Sequence, residues 1–73
     1  MAKYNGHESY AAWNVSLWIG NDEGLYRLAK SCIRRGRTLA RGAELLFAEL
    51  EGSSTPDGVR YSKHTVRLAL SGL

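Results

Sequence analysis

A chain of 73 residues, 44% hydrophobic and with a formal net charge of +3, has material for one small core. Its single cysteine, Cys32, excludes an internal disulfide and suits a reducing compartment. No run approaches the ~18 apolar residues of a membrane span, and the first residues lack the order of a signal peptide. The expectation is one helical domain over residues 1–73, soluble and cytoplasmic.

The segment 4–26, YNGHESYAAWNVSLWIGNDEGLY, holds five of the seven aromatic residues. A first helix is predicted from about residue 7 to 20, with Asn5 and Glu8 spaced as a capping pair and Gly20 as the stop. Tyr10, Trp13 and Leu17 share one face; Ala11, Val15 and Trp18 form the neighbouring stripe. Their clustering makes Tyr10, Trp13, Trp18 and Tyr26 the expected core aromatics.

Asn21 is the next expected N-cap, with Asp22 and Glu23 in the first turn, where the helix dipole favours negative charge. Leu25, Leu28, Ala29, Cys32 and Ile33 then recur at amphipathic helical spacing. Arg34 and Arg35 occupy the last turn and Gly36 is the expected stop. Thr38 caps a third helix whose apolar face is Leu39, Ala43, Leu46, Phe47 and Leu50; Gly52 closes it. So short a link predicts an antiparallel hairpin of the second and third helices.

The stretch 53–58, SSTPDG, is turn chemistry centred on Pro56 and Asp57. Ser62 caps a fourth helix with Val66, Ala69, Leu70 and Leu73 on one face, and Tyr61 and Val66 are spaced as a hydrophobic staple. The expected class is all-α: a single compact domain of three to four short helices.

Charge is sorted along the chain. Arg27, Lys30, Arg34, Arg35, Arg37 and Arg41 form a basic block with no acid inside it. Glu44, Glu49, Glu51 and Asp57 follow with no base between them. Folding the hairpin gathers arginines at its turn and acids at the other end. Like charges one turn apart repel slightly, and the planar guanidinium fork suits phosphate or carboxylate. The six basic residues are therefore the candidate partner- or nucleic-acid-binding set, weighed against a merely solvated face.

Enzyme signatures are missing from the sequence. His7, Cys32 and His64 stand far apart, without CxxC or HExxH spacing, and no base is set beside a serine or cysteine. No catalytic residue, metal or cofactor is expected. As the reading element of a helix-turn-helix, the third helix, LARGAELLFAEL, is acidic in its latter half, which phosphate repels. Lys63, His64 and Arg67 of the fourth helix are the secondary candidates for nucleic-acid contact.

The motif YNGHESYAAWNVSLWIGNDEGLY resembles a group of small proteins encoded by bacteriophages, prophages and other mobile elements. They carry a similar order of Tyr-Asn-Gly, Trp-Asn, Leu-Trp-Ile and Asn-Asp-Glu-Gly. The later TPDGVRYSKHTVRLAL resembles their C-terminal ends, and the middle, SCIRRGRTLARGAELLFAEL, is less distinctive. The resemblance assigns no catalytic residue. It implies an accessory protein that binds a host machine. By analogy, the first expectation is an anti-CRISPR inhibitor that binds a CRISPR effector complex and hinders access to target DNA. The alternative is a small basic transcriptional regulator that binds nucleic acid. The expected partner is thus a host protein or ribonucleoprotein complex, then nucleic acid, and no membrane. A second copy of the chain is a further candidate, because so small a core is marginal alone.

Overall fold

Asn-Gly is a dipeptide of type I′ turns, in which both central residues take positive φ. In the computed structural model, which describes residues 4–73, Asn5 (φ 46°) and Gly6 (φ 81°) form such a turn. Backbone hydrogen bonds of 2.8 and 2.7 Å between Tyr4 and His7 close it. The turn folds Tyr4 back onto Tyr10 and Trp13, with ring centroids 5.3 and 5.0 Å away. Asn5 and Glu8 are therefore not the helix cap. The first helix, α1, spans Tyr10–Asn21, and the Ser9 hydroxyl accepts the Ala12 N–H at 3.1 Å.

α1 runs through Gly20. Asp22, not Asn21, joins it to α2, Glu23–Gly36. The Asp22 N–H donates to the Trp18 carbonyl, and its carboxylate accepts the Leu25 N–H at 2.9 Å. One residue thus ends one helix and begins the next. Along α2 the predicted stripe holds: Ala29 and Cys32 are fully buried, and Leu25, Leu28 and Ile33 pack against the core.

The left-handed residue ending α2 is Arg37 (φ 69°), not Gly36. Gly36 serves a close approach instead. A Cβ there would stand 2.6 Å from the backbone nitrogen of Gly42, and one on Gly42 would stand 2.8 Å from Ile33 Cα. These glycines bring backbone against backbone where α2 meets α3, Leu39–Leu50, which Thr38 caps by accepting the Arg41 N–H. The outcome is a tightly sealed helical hairpin.

The 53–61 segment returns the chain to α4, Lys63–Ser71. Ser62 and Thr65 exchange the two bonds of a capping box. Tyr61 and Val66 are both buried in the core, as the staple spacing predicts. Leu73 lies beyond the helix and is exposed, contrary to expectation.

α1 packs on α2 and α4, and α3 packs on the same two helices. The fold is all-α, with no strand among the described residues beyond two isolated bridges. No helix among the described residues is long and apolar enough to cross a membrane. At the centre lie Val15, Ile19, Ala29, Cys32, Leu46, Val66, Ala69 and Leu70, all but fully buried.

The expected core aromatics lie elsewhere. Tyr10 and Tyr26 are 46% and 39% exposed, while Trp13 and Trp18 are half-buried outside the central cluster. Ala12, Val15 and Ile19 face inward instead. Their i, i+3, i+7 spacing duplicates that of Tyr10, Trp13 and Leu17, two residues out of step. Periodicity cannot choose between such stripes. The narrow space between four short helices admits the smaller set, and indole N–H groups need polar partners at the margin.

Candidate functional site

Arg27, Lys30, Arg34, Arg35, Arg37 and Arg41 are all exposed on the α2–α3 hairpin, but they differ in their partners. Arg27 pairs with Glu23 one turn earlier, and Arg41 pairs with Glu44 at 3.0 Å. The ends of the basic block thus draw carboxylates from its flanks. The Lys30 ammonium lies 5.5 Å from the Tyr26 ring centroid, within cation–π range. Arg35 donates to the buried Cys32 Sγ at 3.3 Å.

Among the described residues, Arg34, Arg35 and Arg37 meet no carboxylate. They occupy the last turn and C-terminal cap of α2, where positive charge complements the dipole. Beside them α2 and α3 meet backbone against backbone at Gly36 and Gly42. Arg37 holds a left-handed conformation that glycine would adopt without the Cβ penalty of roughly 1–2 kcal/mol.

Of the secondary candidates on α4, one is engaged. His64 Nε2 meets Glu8 Oε1, tying the N-terminal segment to α4. Lys63 lies 6.0 Å from the Phe47 ring centroid. With Arg67 it borders a cleft of about 200 Å³ whose other walls are Ala40, Ala43 and Glu44. Glu44 on that rim is paired with Arg41, while Lys63 and Arg67 are exposed and meet no carboxylate among the described residues.

A second polar cluster escaped the sequence reading. Asn14 is fully buried on α1. Its amide donates to Asp57 Oδ2 at 2.8 Å, and its carbonyl accepts the Thr55 hydroxyl proton at 2.6 Å. Trp18 Nε1 donates to the same Asp57 oxygen at 2.9 Å. Thr55 also closes its own loop: its hydroxyl accepts the Val59 N–H, and its backbone bonds to Val59 and Gly58. Hydrogen bonds from Asn14, then Trp18, hold the Asp57 carboxyl below its usual range against a smaller opposing effect of desolvation. In the core, burial pushes the Tyr61 phenol upward, and the charge of Asp22 adds to the shift.

This cluster latches the TPDG loop to α1. Among the described residues no buried side-chain nitrogen or oxygen is left without a partner. The signal available in the sequence was Asn14 itself, a polar residue inside an apolar run and so in need of a polar partner. The latch joins Trp-Asn and Leu-Trp-Ile of the N-terminal motif to Thr-Pro-Asp-Gly of the later one, and its visible work is structural.

No curated protein and no solved structure matches the chain. The model of a family of unknown function, DUF7249, matches residues 1–70, and the chain belongs to that family.

Proposed function

We propose that the protein acts by stoichiometric binding rather than turnover. In this reading it is an accessory protein of a mobile element that engages a host ribonucleoprotein, with a CRISPR effector complex as the leading target. Occupying that complex would hinder its access to target DNA. The carrying observation is the hairpin turn, where Arg34, Arg35 and Arg37 stand exposed beside the close α2–α3 contact without a carboxylate partner among the described residues. Guanidinium forks placed this way suit phosphate or carboxylate groups of a partner. The alternative, a regulator reading duplex DNA through α4, has weaker support, because His64 is engaged by Glu8, which leaves Lys63 and Arg67 alone on a helix of 9 residues.

The test is a phage challenge in hosts carrying different CRISPR types, with and without the protein. The wild type should restore plaquing of a targeted phage in at least one type. Arg34→Glu, Arg35→Glu and Arg37→Glu combined should abolish that rescue while leaving the helical circular dichroism intact. No rescue in any type, or full rescue by the triple variant, would overturn the reading.

A further inference from the structure

We infer that the exposed face of α2 is a docking stripe for the sugar-phosphate backbone of a single nucleic-acid strand. This deepens the proposed function and rests on its reading of the hairpin turn as a contact surface. Tyr26, Lys30 and Arg34 follow one another at i, i+4 and i+8, and Arg37 continues the line at the turn. Each four-residue step advances about 6 Å along the helix, so the stripe runs for roughly 16 Å. A row of cations at such steps can follow successive phosphates of an extended strand.

Two observations favour a nucleic-acid strand over an acidic protein. First, the stripe lacks an apolar centre. Among the described residues the exposed large hydrophobic side chains are Tyr4, Tyr10, Tyr26 and Leu73, and of these Tyr26 alone lies on α2. Stable protein interfaces gather apolar groups at their centre, whereas nucleic-acid faces are polar and strongly positive. Second, the one ring in the row is an exposed tyrosine beside the Lys30 ammonium. That combination serves base stacking next to a phosphate contact.

The ion pairs limit the footprint. Arg27 and Arg41 are occupied by Glu23 and Glu44, and Arg35, off the i, i+4 line, donates to Cys32 Sγ, leaving Lys30, Arg34 and Arg37 for the strand. Three phosphate contacts correspond to a log–log salt slope of about −2 for single strands.

Fluorescence anisotropy tests this with the full chain and three labelled probes: a short oligo(U) RNA, the equal-length oligo(dT) DNA, and a polyglutamate peptide. At low salt at least one strand should bind with a slope near −2, and a preference between strands identifies RNA or DNA as the source. Arg34→Ala with Arg37→Ala should weaken strand binding about tenfold or more and bring the slope to about −1 or shallower. Tyr26→Leu should weaken it several-fold at unchanged slope. Polyglutamate bound as tightly as either strand, or strand binding indifferent to these substitutions, would overturn the stripe. Loss of phage rescue in the triple variant without any strand binding would sink the stripe and spare the binding function. Strand binding without rescue in any CRISPR type would do the reverse.

Discussion

The α1–loop latch and the α2–α3 turn are both polar clusters on a small apolar frame, and they dispose of their polar groups in opposite ways. In the latch, Asn14, Trp18 and Thr55 direct their polar groups to one another and to Oδ2 of the exposed Asp57. At the turn, Arg34, Arg35 and Arg37 keep their charges toward solvent, without a carboxylate among the described residues. Internally satisfied groups hold a fold; charges left open to solvent are available to a partner. The difference assigns structure to the aromatic segment and contact to the less distinctive middle of the chain.

The largest expected effect breaks the frame of the turn. Gly42→Leu must push α3 off the Ile33 backbone, and overpacking of this kind costs up to about 3 kcal/mol. Urea unfolding measures it; a loss well under 1 kcal/mol would mean that the glycine contact does not seal the hairpin. Next comes the latch. Asn14→Leu leaves the Thr55 hydroxyl without its side-chain acceptor, a change of about 1–3 kcal/mol by the same method. Strand binding by the still-folded variant should be unchanged, and a parallel loss of binding would blur the division of labour.

Trp18→Phe sharpens the comparison on a smaller scale, since it keeps most of the ring and deletes the Nε1–H that reaches Asp57. Its melting temperature should fall less than that of Asn14→Leu. Both should alter acid stability. The Asp57 carboxyl titrates below its ordinary value of 3.8 when folded, so its contribution is complete above that pH and is lost as pH falls through the folded value. Melting scans from neutral pH downward should show a decline below about pH 4 that is shallower in either variant. Equal declines would remove Asp57 from the account.

The smallest effect has the opposite sign. Arg37→Gly relieves a left-handed arginine and should leave stability level or raise it by up to about 1 kcal/mol, while weakening strand binding. A destabilised variant would show that Arg37 serves the fold.

The helices were legible because their signals are local. Thr38 and Ser62 cap where expected, and the α2 stripe from Leu25 to Ile33 packs as its spacing predicts. Local signals also misled where two readings were locally equal. Asn5-Gly6 could introduce a helix or make a turn, and the pairing of Tyr4 with His7 decided for the turn. Tyr10, Trp13 and Leu17 match Ala12, Val15 and Ile19 in spacing, and only the space between four helices ranked them. The latch was illegible for a different reason: Asn14 and Asp57 lie 43 residues apart, and nothing local links them. The arginine block was plain in the sequence, but which arginines remain open depended on Glu23 and Glu44 reaching Arg27 and Arg41.

The division between latch and turn is tested most directly by measuring oligonucleotide binding and thermal unfolding on the same samples of two proteins, the wild type and the Arg34→Glu, Arg35→Glu, Arg37→Glu variant. The variant should still unfold cooperatively, its stability lowered by no more than the roughly 1–2 kcal/mol that reversing two last-turn charges against the α2 dipole costs, with strand binding lost. A variant that stays folded and binds the strand as tightly as the wild type would contradict the account.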